Sequence, residues 1–194
     1  MKKILLLFGL LVSSFAFGQN NKELKEIKNV NFYGVDFSLA KVYGAAETSE
    51  QFKKAFDGIN FLFISEAKKY DIAKLLNKTV NKVELDIANQ LNRQVKLDKL
   101  MADNNYYSVD SKILSEHIKS LPIKDEKGVG LILVAQLLNK ASNKGTFQVV
   151  YFDLASRDIL LNCPSEGKAK GFGLRNFWAA SMYKALKEAK KCSK

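Results

Sequence analysis

Alternating and continuous runs of apolar residues along the chain predict strands at four places. Val30 to Leu39 alternates around Gly34, which predicts a first strand that is bulged or closely approached at this glycine. Val129 to Leu138 is almost continuously apolar, as expected for a central strand buried on both faces. Thr146 to Asp153 and Ile159 to Cys163 follow after turn signals. These last three strands are consecutive, which predicts an antiparallel meander.

Apolar residues at helical spacing predict a helix after residue 48. Thr48 to Gln51 resembles a capping box, and the apolar spacing that follows extends to about Lys69. Asp71 then caps a shorter helix that runs through Leu76.

The pattern between Thr79 and Val95 fits two structures. Val80, Val83, Ile87 and Leu91 have helical spacing, whereas Val83, Leu85 and Ile87 alternate as in a strand. The alternation favours a strand that continues into Ile87.

Two further helices are predicted nearer the carboxyl terminus. One spans 108–121, is capped by Ser108 or Asp110, and has an inner stripe of Ile113, Leu114, His117, Ile118 and Leu121. The other runs from Leu174 to Lys190 with apolar residues on one half and lysines on the other. The predicted fold class is therefore α+β, with one mixed, mostly antiparallel sheet, a carboxyl-terminal three-strand meander and covering amphipathic helices.

The first eighteen residues have the pattern of an export signal. Lys2 and Lys3 precede the apolar run Ile4 to Val12, and the segment ends in Ala16-Phe17-Gly18. The apolar run is about half the length of a membrane-spanning helix. We therefore expect cleavage before Gln19 and a single exported domain over 19–194, periplasmic or extracellular, without a transmembrane segment.

The positive charge of the chain is concentrated at its carboxyl end. The whole sequence has a formal net charge of +11, and its last 28 residues contain eight basic residues and one acidic residue, Glu188. Nearly all the basic residues are lysine, which lacks the planar fork that arginine uses for bidentate recognition of phosphates and bases. Together with export, this composition argues against a nucleic-acid partner and predicts a local basic face.

Four segments resemble a known envelope domain. They are N-V-N-F-Y-G-V-D-F-S, G-V-G-L-I-L-V-A-Q-L-L, V-V-Y-F-D-L-A-S-R-D-I-L-L and the closing helix. Their order resembles the small periplasmic α/β domain of the TolB amino-terminal and curli-secretion lipoprotein families. The resemblance implies that Asp153 ends a strand before a tight turn. The lipoprotein cysteine is missing, so pore formation and translocation are not implied. The chain also resembles exported proteins of Bacteroidota, which suggests a source and no activity.

The glycine-spaced segment 167–175 is the sharpest candidate binding site. Glycines expose backbone N–H groups, and the amino end of the following helix favours anions. The predicted anion-binding residues are Lys168, Lys170, Gly171, Gly173 and Arg175. The order of residues excludes a nucleotide-binding P-loop. An alternative is that the glycines only permit a turn and close packing beneath Trp178.

Candidate catalytic groups are few. His117 is the only histidine, and its place on an inner helical stripe favours a structural role over nucleophilic catalysis. Carboxylates at Asp36, Glu84, Asp86 and Asp153 lie on predicted strands or at their ends, and Glu84 and Asp86 would share one strand face. One histidine and two distant cysteines do not form a typical zinc site, so no metal and no cofactor are predicted.

The only cysteines, Cys163 and Cys192, are free to pair in an exported protein. A disulfide requires the segment 164–173 to run back along the length of the closing helix, and the sequence leaves the paired and free states equally open.

These observations favour an exported, non-enzymatic binding or envelope-assembly domain that uses its basic carboxyl-terminal face. Its partner would be an envelope protein or an anionic glycan or lipid, and the oligomeric state is not set by the sequence. The alternative is a hydrolase with an unrecognised carboxylate or His117 site.

Overall fold

The order of elements places one mixed sheet between two sets of helices. A computed structural model describes residues 27–192, so the predicted signal segment lies outside the described residues. The strands are β1 Asn29–Asp36, β2 Lys41–Tyr43, β3 Thr79–Val83, β4 Val129–Asn139, β5 Lys144–Asp153 and β6 Ile159–Lys168. The helices in this range are α1 Ser49–Ser65, α2 Ile72–Leu76, α3 Asp86–Arg93, α4 Ser111–Lys119 and α5 Leu174–Ala189.

The six strands form a sheet in the order β3-β1-β4-β5-β6, and the short β2 also pairs with β4. β1 is parallel to both β3 and β4, and β2 is parallel to β4. The two longest ladders, β4–β5 and β5–β6, are antiparallel. The structure confirms the predicted α+β class, the mixed and mostly antiparallel sheet, and the carboxyl-terminal meander.

Both faces of the central strands are buried, as the continuous apolar run of β4 predicts. On one face, alternate residues of β1, β4 and β5 form the larger core with α1, α2 and α5. On the other face, the smaller core includes Tyr33, Ile132 and Val150, and it is covered by Leu114 and Ile118 of α4. The opposite faces of the sheet therefore carry different helices, because successive strand residues point in opposite directions.

Side chains cap three helices as the sequence predicts. Thr48 accepts a hydrogen bond from the backbone N–H of Gln51, and the Gln51 side chain accepts one from the backbone N–H of Thr48, which completes a capping box. Asp71 caps α2, and Asp110 caps α4. The predicted extension of the first helix to Lys69 is wrong, since α1 ends at Ser65.

The ambiguous region contains both a strand and a helix. β3 ends at Val83, and Ile87 lies in α3, so the predicted strand into Ile87 is wrong at its end. In α4 the stripe prediction is wrong for Ile113, which is 50% exposed. Both errors arise because short apolar runs satisfy more than one periodicity.

The expected irregularity at Gly34 is confirmed. Its φ is +90°, and the register between β1 and β4 shifts between Phe32 and Val35. A Cβ at this position would lie 2.9 Å from Oδ1 of Asn60. A side chain is excluded there by both conformation and space.

Two buried amides complete the hydrogen bonding of β1 beyond its pairing with β3. Asn60 of α1 accepts from the backbone N–H of Val35 at 2.8 Å and donates to its carbonyl at 2.9 Å. Asn92 of α3 accepts from the backbone N–H of Phe37 at 2.7 Å and also donates to the Val35 carbonyl. Because every buried backbone group needs a partner, these amides fix the end of β1.

β6 is longer than predicted, which corrects both its end at Cys163 and the loop expected from Gly167. The strand continues to Lys168, and Gly167 pairs with Gly145 of β5. Helix α5 crosses this glycine pair closely, with Oγ of Ser181 2.7 Å from the Gly167 carbonyl oxygen. The glycines allow the helix backbone to approach the sheet.

Cys163 and Cys192 form a disulfide, with Cα atoms 5.9 Å apart. The continuation of β6 to Lys168 provides the outward path, and α5 returns along the sheet to bring Cys192 beside Cys163. The bond joins residues separated by 29 positions. It thereby ties the end of α5 to β6.

We expect the variant Cys192→Ser to lose about 2–4 kcal/mol of unfolding free energy, because a closed loop of this length restricts the unfolded chain. The melting temperature should fall by about 5–15 °C in a protein of this size. Thermal unfolding followed by circular dichroism checks this. Reductant should lower the melting temperature of the wild type to that of the variant and leave the variant unchanged; a variant as stable as the oxidised wild type would contradict the prediction.

Candidate functional site

The structure places three of the five predicted anion-binding residues together. Lys170, Gly171 and Arg175 line one groove. The other two predicted residues do not line it. Lys168 is the last residue of β6, where its backbone lies opposite Lys144 of β5, and Gly173 immediately precedes α5.

The groove lies between the turn that follows α1 and the residues of α5 up to Lys184, and it has a volume of about 660 Å³. We call it the basic groove. It is lined by Glu66, Lys69, Tyr70, Lys170, Gly171, Phe172, Arg175, Asn176, Ala180, Tyr183 and Lys184. Four of these side chains are cationic and one is anionic.

Aromatic contacts hold the two walls of the basic groove together. Tyr70 is buried, and its ring meets that of Phe63 edge-on at 6.1 Å. The ring of Tyr183 in α5 meets Tyr70 at 6.0 Å with an interplanar angle of 90°. Edge-to-face pairs of this kind are favourable because the positive ring edge faces a negative ring face. The position of α5 against the end of α1 is therefore well defined at this point.

The cations of the basic groove are only partly neutralised. Nζ of Lys69 lies 3.3 Å from Oε2 of Glu66. Contact with the neighbouring Tyr70 raises the pKa of Lys69, and Glu66 adds a smaller increase. Arg175 donates from Nε to Oδ1 of Asn176 at 3.1 Å, which leaves its other guanidinium donors available. Within residues 27–192, Lys170 and Lys184 have no carboxylate within ion-pair distance. The groove therefore carries excess positive charge.

The backbone contributes to this positive potential. Gly171 and Gly173 have φ values of +112° and +72°, which favour glycine over residues with a side chain. Gly173 precedes α5 without a side-chain cap, and the first turn contains no acidic residue. The first N–H groups of α5 thus remain available beside Arg175 and Asn176.

Sequence reasoning identified one wall of the basic groove and missed the other. Glu66, Lys69 and Tyr70 come from the turn after α1, about a hundred residues earlier in the chain. Tyr183 and Lys184 were assigned to the helix without a link to the loop. The sequence offered one signal for this wall, the predicted helix cap at Asp71. A cap there indicates that the chain turns between two helices over the residues just before it.

A separate pair of ionisable groups lies at the end of β1. The side chain of Asp36 is fully buried, and its Oδ2 is 2.5 Å from Nε2 of His117, which is 12% exposed. Its other oxygen, Oδ1, accepts from the backbone N–H of Ser38 at 2.7 Å. The Ser38 hydroxyl is buried and has no hydrogen-bond partner among the described residues. The sequence predicted that His117 lies on the inner face of its helix. It did not identify Asp36 as the partner of His117.

The remaining candidate carboxylates have local structural contacts. Asp153 ends β5, and its Oδ1 accepts from the backbone N–H groups of Ala155 and Ser156 in the tight turn. Glu84 lies after β3 and pairs with Lys82 at 2.5 Å, whereas Asp86 is in the first turn of α3. The prediction that Glu84 and Asp86 share a strand face is therefore wrong.

Lys82 belongs to a second ionic cluster at the sheet edge, where it lies 3.1 Å from Oδ2 of Asp125. The Tyr33 hydroxyl donates to the same oxygen at 2.7 Å. Both contacts lower the pKa of Asp125, and the hydrogen bond from Tyr33 has the larger effect. The cluster joins the segment before β4 to the edge of the sheet.

Over residues 27–192, no group of three or more His, Cys, Asp or Glu side chains is arranged to hold a metal ion. In the same range, no helix has the length and apolar character needed to cross a bilayer. Comparisons with protein-family models, curated proteins and solved structures give no significant match. The resemblance to the TolB and curli-secretion domains stays a prediction.

Proposed function

We propose that the protein is an exported, non-enzymatic binding domain that holds an anionic ligand in the basic groove. The observation that carries this proposal is the assembly of Lys69, Lys170, Arg175 and Lys184 around a single carboxylate, Glu66. A surface used only for solubility has both signs interspersed and requires no concave site.

The chemistry of the groove favours a ligand with both charged and less polar parts. Its cations and the free N–H groups of α5 suit phosphate, sulfate or carboxylate groups. The rings of Phe172 and Tyr183 lie beside them and suit contact with the apolar face of a sugar or with a hydrocarbon segment. This combination supports an anionic glycan, an anionic lipid or an acidic segment of an envelope protein.

Reversal of three groove charges tests the proposal. The variant Lys170→Glu/Arg175→Glu/Lys184→Glu should bind heparin, used as a soluble sulfated probe, about 10–100-fold more weakly, because charge-assisted contacts are lost. Binding is measured by isothermal titration calorimetry at low and at physiological salt, where weaker binding at higher salt is expected.

A charge-matched control separates the groove from the overall basicity of the protein. Lys112→Glu/Lys124→Glu/Lys127→Glu changes the net charge equally at exposed lysines in or near α4. This variant should retain most of the heparin affinity. Equal losses in the two triple variants would show that the attraction is nonspecific and would overturn the proposed groove.

The Asp36–His117 pair supports hydrolysis as a second candidate function. A buried carboxylate that holds one imidazole nitrogen orients the other as a base, as in Ser-His-Asp enzymes. Ser38 lies two residues after Asp36, and its hydroxyl is buried and makes no hydrogen bond to His117, so a nucleophilic role would require Ser38 to change conformation. Hydrolysis of p-nitrophenyl esters tests this function. Turnover by the wild type that is lost in His117→Gln and in Ser38→Ala would favour it. No turnover by the folded wild type would count against it.

A further inference from the structure

Phe172 is the most exposed large apolar side chain of the described chain. It is 96% exposed and lies on the loop between β6 and α5, at the rim of the basic groove. Gly171 and Gly173 flank it in positive-φ conformations. The loop therefore holds an aromatic ring out in solvent, where its burial against another surface would be favourable.

Two more apolar side chains are exposed on the adjoining surface of α1. Phe61 is 58% exposed and Ile64 is 63% exposed. They follow Gly58 at successive intervals of three residues, so they form a row of neighbours along the helix. The stem of Arg175 covers Gly58, since a Cβ there would lie 2.8 Å from its Cδ. This row thus continues from the wall of the basic groove.

Cations lie on both sides of Phe172 along the chain and just beyond the end of α1. Lys170 and Arg175 are close in sequence to Phe172, and Lys69 lies beyond the end of α1. Lys187 extends the charge along α5, with Nζ 4.8 Å from the centre of the Tyr183 ring. Long lysine and arginine side chains can rest their stems on apolar surface while the charged ends contact anionic groups.

We infer that the surface around Phe172 docks on an anionic lipid bilayer, with Phe172 entering the interface and the cations contacting headgroups. This inference rests on the proposed function of the basic groove and names its ligand class. A bilayer is favoured over a protein partner because the exposed apolar side chains are few and lie on a projecting loop and on the convex surface of a helix. A bilayer accommodates such protrusions without a matching pocket, and its anionic headgroups complement the lysines.

Vesicle flotation with protein isolated after export tests the inference. The wild type should bind vesicles of equal parts phosphatidylglycerol and phosphatidylcholine and show little binding to pure phosphatidylcholine. Phe172→Ala should weaken binding about tenfold through lost apolar burial. The triple reversal at Lys170, Arg175 and Lys184 should weaken it more, since each basic residue near an anionic surface contributes about fivefold. All variants share the same amino terminus, so differences report on this surface.

Two controls and a spectroscopic variant make the result specific. Tyr106→Ala removes another highly exposed aromatic ring, which is 85% exposed, and should leave vesicle binding unchanged. Phe172→Trp should show a blue-shifted emission with phosphatidylglycerol vesicles and quenching by brominated lipid. The buried Trp178, measured in the wild type, supplies the background for this signal.

The outcomes separate this inference from the proposed function. Unchanged vesicle binding by Phe172→Ala, or no emission shift in bound Phe172→Trp, would overturn bilayer docking. If the triple reversal still abolished heparin binding, the groove would remain an anion site for a soluble glycan or an acidic protein. If the triple reversal affected neither heparin nor vesicles, both proposals would fail.

Discussion

Replacing Gly167 with alanine is expected to lower the free energy of unfolding by about 3 kcal/mol or more. A Cβ at this position would lie 1.9 Å from the backbone carbonyl oxygen of Ser181. A backbone atom in the middle of a helix cannot rotate away as a side chain can. The added methyl group would therefore displace α5 from the sheet and disturb the packing of Trp178 and Met182, which are both fully buried.

Gly145→Ala provides a matched comparison on the partner strand. Its Cβ would lie 2.5 Å from Oγ of Ser181, which is a side-chain atom. Adding Ser181→Ala should therefore recover part of the stability lost in Gly145→Ala and little of that lost in Gly167→Ala. Urea unfolding monitored by Trp178 fluorescence measures both effects. Equal rescue in the two backgrounds, or wild-type stability of Gly167→Ala, would contradict the proposed backbone contact.

Replacing His117 with alanine should lower the free energy of unfolding by about 3 kcal/mol, because it leaves the buried Asp36 side chain without its hydrogen-bond partner. The pair joins the end of β1 to α4 across 81 sequence positions. One Asp36 oxygen would keep the Ser38 N–H, and the other would lose its partner inside the protein. The lost contact is thus more costly than that of an exposed ion pair.

A double-mutant cycle with Asp36→Asn and His117→Ala measures the interaction between the two groups. The double variant should be less destabilised than the sum of the single variants, because the second change removes the uncompensated carboxylate. Glu116→Ala, at an exposed position of the same helix, should have a small effect. Purely additive losses would show that each residue acts through separate contacts.

Much of the fold was predictable because its determinants are local. The apolar run of β4, the alternation in β5 and the capping box at Thr48 act over a few residues, and each specified its element. The two cysteines showed where a disulfide was chemically available. They did not show whether it forms, since that depends on the path of β6 and α5.

The incorrect predictions arose where a local pattern fits both a strand and a helix, or where tertiary packing outweighs the local preference of a residue. Ile87 fits both a strand and a helix, and the chain enters α3 there because Asn92 of that helix bonds to the end of β1. Gly167 has the character of a loop residue, yet it lies in β6 where close approach of α5 requires the absence of a side chain.

By itself, the sequence determined the fold class, the capped helices, the central buried strand and the basic character of the carboxyl-terminal segment. Only the tertiary structure brought Lys69 and Tyr70 to face Lys170 and Arg175, and it alone joined Asp36 to His117. The physical reason is that side-chain periodicity reports which face of an element is buried. Which elements then meet depends on strand order and helix placement, and these are set by packing among residues far apart in the chain.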